Sequence, residues 1–283
     1  MMTRQSEQLY ARQAPTFISL KDYCARAYII CHQEDTGLLE NVLMGEGFTP
    51  VRVQSVYDER QLGYAASFRC LMNHAKAWQL VMRSNKPAAI FEADFVPVHG
   101  IGSLSVPCPK ERLDKALIYL YACGPQFWDL MQLNVSRGHA GATVAYVISP
   151  NVATVLLRFY AEQVRANPDG LYSTWDAEIG YWLKDREVQS YLPIRHYGEH
   201  GGLWNQEHRH VGLNRPHRAD VLQGSLAFLP AYAHGSHFRY VLIRLQSYAY
   251  GLCRLLAGRL VAPHDARRMG LGPMLGFCVG RFI

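Results

Sequence analysis

The sequence lacks any Cys-x-x-Cys pair, although it holds 7 cysteines, Cys24, Cys31, Cys70, Cys108, Cys123, Cys253 and Cys278. An odd and scattered set argues against a disulfide framework and against a thiolate zinc site. It suits a reducing compartment in which most of these thiols are small buried hydrophobes. Also missing is any run of 18 or more uncharged apolar residues, so no membrane span is expected. The opening stretch MMTRQSEQLYARQAPTF has no apolar core and does not read as a secretory signal. Charged residues make up only 18% of the chain, and no block of consecutive Lys and Arg occurs. A net charge of +6 is too mild to imply nucleic acid, and it suits anionic small molecules or an anionic membrane surface. Internal repeats and low-complexity segments are absent. A cytoplasmic location, peripheral to the inner face of a membrane, is expected.

What is present is apolar material, 49% of 283 residues, enough for one large domain or a domain with an appendage. The most informative stretch is residues 68–98, FRCLMNHAKAWQLVMRSNKPAAIFEADFVPV. Leu71, Ala75, Trp78 and Met82 recur at helical spacing and predict one core-facing stripe. Asn85, Lys86 and Pro87 end that helix, because proline restricts the residue before it and cannot continue the ladder. The run Ala88-Ala89-Ile90-Phe91 predicts a strand buried on both faces. Glu92 and Asp94 follow at its carboxyl end, where open α/β sheets bind ligands. Two carboxylates there can hold a divalent cation, which in turn can hold phosphate oxygens.

The rest reads as alternating strands and helices. Residues 27–31 (AYIIC) and 51–56 (VRVQSV) predict strands flanking a helix over 37–44, the opening of an α/β domain with a parallel sheet. A further strand is expected within 113–121 and another within 138–149, the latter followed by a helix beginning at Pro150. Residues 172–183 (YSTWDAEIGYWL) predict a helix with Ser173 and Asp176 at capping-box spacing. Residues 194–217 read as a loop dense in histidine, with His196, His200, His208, His210 and His217. From Phe238 onward, Leu242, Leu245, Ala249, Leu252, Leu256 and Leu260 form an apolar stripe, with Arg239, Arg244 and Arg254 mainly on the other side. That tail carries seven arginines against one acid, Asp265. Two units are expected, a catalytic domain over 1–235 and a basic amphipathic helical extension over 236–283.

Three segments resemble the lipopolysaccharide-biosynthesis glycosyltransferases of family 25. SFRCLMNHAKAWQLV with AAIFEADFVPV is similar to that family's cysteine, leucine, serine, histidine, tryptophan and acidic-triplet core. GATVAYVISPNVATVLL and STWDAEIGYWL resemble its later strand–helix unit and the short motif whose aspartate opens the next helix. The triplet is here Glu92-Ala93-Asp94, without its middle carboxylate, and Asn73 stands where the family has serine. The resemblance implies a Rossmann-like glycosyltransferase A fold with a mostly parallel central sheet and inverting chemistry. It implies a nucleotide-sugar donor, a uridine diphosphate sugar by expectation, and a glycan or lipid-linked acceptor.

It also implies roles. Asp94 and Glu92 would hold Mn2+ or Mg2+ across the donor's phosphates, with His200 as a later ligand. His74 would lie near the donor. Asp176, or Glu178, would act as general base on the acceptor hydroxyl. Two rivals stand beside this reading. One is a non-catalytic nucleotide- or glycan-binding protein, prompted by Ala93. The other is a metal-dependent hydrolase built on the histidine-rich stretch, with His196 and His200 four residues apart.

Overall fold

The computed structural model describes residues 18–131, 135–184, 186–203 and 217–283. His208 and His210 lie outside the described residues, as does the polar lead-in over 1–17. The first half alternates β1 (Arg26–Cys31), α1 (Gly37–Gly45), β2 (Thr49–Gln54), α2 (Ala66–Ser84), β3 (Ala88–Glu92) and β4 (Phe95–Pro97). The second half runs β5 (Ala116–Tyr119), β6 (Gln126–Leu130), β7 (Val135–His139), β8 (Ala145–Ile148), α3 (Pro150–Ala166), α4 (Trp175–Lys184), β9 (Gln189–Pro193) and β10 (Gly198–His200). Three helices end the chain, α5 (His237–Leu256), α6 (Pro263–Met269) and α7 (Leu271–Phe282).

Eight strands form one mixed sheet in the order β2-β1-β3-β8-β5-β9-β7-β6, and β4 pairs with β10 in a separate ribbon. β8 and β7 run against the other six, so most strands share one direction although most neighbouring pairs are antiparallel. The architecture is α/β and compatible with a Rossmann-like fold.

Alternation along the buried strands divides the core. Tyr28, Ile30, Ile90, Tyr119 and Tyr146 pack on one face with α2, α3 and α4. Ala27, Ile29, Phe91, Ile118 and Val147 pack on the other with Leu39 and Leu43 of α1. Helices cover both sides, which is why β3 tolerates no polar residue before Glu92.

The organising helix forms as its periodicity predicts, from Ala66 to Ser84, and closes with Asn85 in the left-handed region at φ 51° before Lys86-Pro87. Its inner stripe holds Phe68, Leu71, Ala75, Trp78 and Val81, whereas Met82 is exposed. A heptad-like count places Met82 on the seam, but the helical drift rotates Val81 inward instead. Pro150 starts α3 at its first turn, with Ser149 Oγ accepting from Val152 N–H at 3.2 Å.

Elsewhere the structure departs from the sequence reading. The α4 helix begins at Trp175, and Ser173 and Asp176 form no capping box: Thr174 instead donates its hydroxyl to Glu178 at 2.8 Å. The β6–β7 hairpin was not anticipated, because an edge pair with one half-solvated face shows little apolar alternation. Nor is 194–217 simply a loop, since it contains β10. The direction in which α5 turns its faces is a matter of tertiary structure. Its buried residues are Ser247, Gly251 and Arg254, whereas Phe238, Leu242, Leu245 and Leu256 are exposed. The apolar stripe exists, but it faces outward.

Charge explains this orientation. Arg244 Nη1 donates to Glu199 Oε2 at 2.5 Å and to the Ala219 carbonyl at 2.6 Å. Arg254 donates to the Pro125 carbonyl at 3.1 Å. Arg281 of α7 is fully buried and pairs with Asp220, which also accepts from His196 at 2.9 Å. Gly251 allows the approach, because a Cβ there would stand 2.7 Å from that of Asp220. The tail is therefore pinned to the domain by arginines. No helix among the described residues is long and apolar enough to cross a membrane.

Candidate metal and donor site

β3 ends at Glu92, and the turn to β4 carries Ala93 and Asp94. The ribbon brings β10 alongside, with His200 opposite Phe95 and Gly201 N–H donating to the Asp94 carbonyl at 2.8 Å. His200 Nε2 consequently lies 2.9 Å from Asp94 Oδ2. Gly201 and Gly202 are needed for this approach, since a Cβ on either would collide with Asp94. One donor atom each from Glu92, Asp94 and His200 lies within 4.8 Å of the others.

The electrostatics of this group are coupled. Burial alone would push the His200 imidazolium down, but the carboxylates of Asp94 and Glu92 outweigh it and lift its pKa to about 9. Burial would likewise raise Asp94, yet His200 and Arg218 outweigh it and hold it below its ordinary value. Arg218 also braces the site, donating to the carbonyls of His200 at 2.6 Å and Gly202 at 2.9 Å.

The donor set fits a hard or borderline divalent cation. It offers two carboxylates and one imidazole, and Asp94 Oδ1 and His200 Nδ1 have no hydrogen-bond partner among the described residues. A second set, Cys70, His74 and Glu92, also clusters. It fits less well, because burial pushes the Cys70 thiol far up, away from the thiolate a metal needs. Both ring nitrogens of His74 are also engaged there.

His74 sits in a chain of buried hydrogen bonds. Trp78 Nε1–H donates to the Tyr146 hydroxyl at 2.7 Å, leaving that hydroxyl's proton for His74 Nδ1 at 2.7 Å. The ring then carries its own proton on Nε2, facing Glu92 Oε1 at 3.4 Å. His74 is wholly buried beneath Glu92 and touches no open space. Its two ring nitrogens thus tie α2 to Tyr146 on β8 and to Glu92 at the end of β3.

A cavity of about 230 Å³ opens in front, lined by Cys31, His32 and Glu34 after β1, Tyr57 after β2, Arg69 and Asn73 on α2, and Glu92 and Asp94. His32 and Tyr57 form an aromatic wall, with ring centroids 4.7 Å apart. The sequence reading assigned no role to Arg69, Tyr57 or His32. Their one legible signal was that each follows a strand or starts a helix at the same end of the sheet.

Asp176 sits on the first turn of α4 and is not among the residues lining that cavity. Burial, reinforced by the negative charge of Glu92, raises its carboxyl to about 7, although it accepts from Ala177 N–H. Glu178, tied to Thr174, is exposed. Asp176 is therefore the better placed of the two candidate bases. His196 is far from usable as a zinc ligand beside His200. Both belong to extended segments rather than one helix, and His196 is sealed against Asp220 and Arg281. Among the described residues, the His196–His200 pair therefore offers no zinc site.

No family model matches the chain, and no curated protein does either.

Proposed function

We propose that this protein is a metal-assisted inverting glycosyltransferase on a glycosyltransferase A fold. It would move a hexose from a nucleotide sugar, a uridine diphosphate sugar by preference, to a glycan or lipid-linked hydroxyl. The observation that carries the reading is the convergence of Glu92, Asp94 and His200 at the tip of a buried strand, at the head of an open cleft. The resemblance of residues 65–185 to family 25 is consistent with it, and Ala93 leaves two of the triplet's three carboxylates.

Glu92, Asp94 and His200 would hold Mn2+ or Mg2+, which when bound supplies Lewis-acid neutralisation of the leaving diphosphate. Arg69 brings a further positive charge to the cleft for the anionic donor. Tyr57 donates to Asn73 Oδ1 at 2.8 Å, which fixes the ring in the cavity wall. His74 keeps Glu92 in one orientation. Asp176 takes the proton of the acceptor hydroxyl as its oxygen attacks the anomeric carbon and the bond to the diphosphate breaks. A carboxyl near 7 suits that task, because it accepts a proton at neutral pH without being permanently protonated.

The outward stripe of α5 supports an anionic membrane surface as a partner. Phe238, Leu242, Leu245 and Leu256 fall within roughly 60° of one another at 3.6 residues per turn. Arg239 on the same helix and Arg267 on α6 are exposed, and the tail's acid, Asp265, is buried. Such a face would repel a second copy of itself and attract anionic headgroups.

Hydrolysis of uridine diphosphate sugars with Mn2+, compared between wild type and Asp94→Ala, tests the reading. Equal rates would remove the metal role. Tight nucleotide binding without turnover on any acceptor would favour the non-catalytic alternative.

A further inference from the structure

A second cavity, of about 830 Å³, lies at the opposite edge of the sheet, between the β6–β7 hairpin, the end of α4 and the turn from α5 into α6. Its volume falls within the range of roughly 300–1,000 Å³ usual for small-molecule sites. Trp128 and Tyr181 line it with ring centroids 6.5 Å apart. Tyr181 also packs on His139 at 4.6 Å, and burial pulls that imidazole down to about 4, so this third ring adds no charge.

The cations sort into struts and free groups. Arg268 pairs with Asp265 at 3.4 Å and donates to the Trp128 carbonyl at 2.6 Å, and Arg254 is committed to Pro125. Arg137, Lys184 and Arg259 line the same cavity and enter no ion pair among the described residues, although the Lys184 ammonium lies over the Trp128 ring, 5.5 Å from its centre. One carboxylate, Asp129, is left to oppose them. Flat aromatic faces next to surplus guanidinium and ammonium groups match a sugar ring, whose C–H face stacks, bearing an anionic substituent, which arginine grips bidentately.

We infer that this groove binds an anionic saccharide, a sugar carrying a phosphate or a carboxylate, and that it is the subsite that selects the acceptor. The second half of that statement rests on the transferase reading; the first does not. The helix α4 links the two places. Its first turn carries Asp176, and Tyr181 and Lys184 follow five and eight residues on, roughly 8–12 Å along the axis. A glycan lying in the groove can thus present a hydroxyl toward the base while its charged unit is held at the sheet edge.

Calorimetry on the full chain without metal, using glucose 6-phosphate, glucuronic acid, glucose and inorganic phosphate, tests it. Either or both anionic sugars should bind at least about tenfold more tightly than glucose and than inorganic phosphate, because only they use both the cations and the rings. The two anionic probes distinguish phosphate from carboxylate as the source of charge. Arg259→Ala, at an exposed position, should weaken that binding about tenfold, and Arg259→Lys should recover part of it. Trp128→Ala should lower sugar phosphate affinity while leaving inorganic phosphate unchanged. No binding of either anionic sugar, equal affinity for glucose, or indifference to Arg259→Ala overturns the proposal. Donor hydrolysis by wild type with Mn2+ is read separately. Saccharide binding without hydrolysis keeps the groove and sinks the transferase, and hydrolysis without saccharide binding does the reverse.

Discussion

The strand-tip cleft and the buried joint under the C-terminal helices use the same groups, carboxylate, imidazole and guanidinium, to opposite ends. In the cleft, Asp94 and His200 keep 37% and 20% of their side chains exposed, and Arg218 binds carbonyls behind them. In the joint, His196, Asp220 and Arg281 are at most 5% exposed. Charges that solvent can reach can exchange partners, so the first cluster can take up a ligand. Charges sealed on all sides lock whatever elements they join. Accessibility, rather than composition, separates a site from a clamp.

The comparison breaks if the clamp can be cut without cost. Arg281→Ala leaves the buried Asp220 carboxylate with His196 and the Val221 N–H but no guanidinium, and we expect a loss of about 3–5 kcal/mol in denaturant unfolding. Asp94→Asn, removing a partly exposed partner, should change stability by about 1 kcal/mol or less. Because Arg281 and His196 overcome burial to hold Asp220 well below the usual carboxylate range, its contribution is present at neutral pH. It is lost as acid protonates the group, so wild type should lose stability on acidification more steeply than Asp220→Asn.

Activity sharpens the other side. Asp176→Asn should lower kcat by about 10²–10⁴-fold while leaving Mn2+ affinity intact. A variant that loses metal as well would place Asp176 among the ligands instead. For wild type, the rate should rise as pH passes through about 7, since the base works only when unprotonated and its carboxyl is raised to that value. A flat pH profile from 5 to 9 would remove the role.

Smaller effects follow at the outer surface and in the proton balance. Leu245→Asp, on the exposed stripe, should shift stability by no more than about 0.5 kcal/mol yet abolish sedimentation with phosphatidylglycerol vesicles. Retained sedimentation would mean that another face meets the lipid. His200 has a pKa of about 9 without metal, so Mn2+ must displace its proton at pH 7. Calorimetry in buffers of different ionisation enthalpy should report about one proton released per ion bound. None released would take His200 out of the ligand set.

Much of this was legible in local patterns. The 3.6-residue repeat of Leu71, Ala75 and Trp78, the unbroken Ala88–Phe91 run and the Ser149-Pro150 start of α3 each depend on neighbours in sequence. So did the acidic pair after β3. What escaped depends on distant partners. The hydrogen bond from His74 to Tyr146 joins helix α2 to a strand 72 residues further along the chain, so no local pattern announces it. The α5 stripe was legible, but its direction was set by Glu199, Ala219 and Pro125, which no helical wheel contains.

The sequence by itself determined where the chain turns, which strands are buried on both faces and that two carboxylates end one of them. Short-range steric and solvation preferences suffice for that. Only the tertiary structure decided that His200 meets Asp94 and that Arg244, Arg254 and Arg281 of the tail point inward. Those outcomes follow from which unlike charges the folded backbone places within reach, and the spacing of residues along the chain carries no record of it.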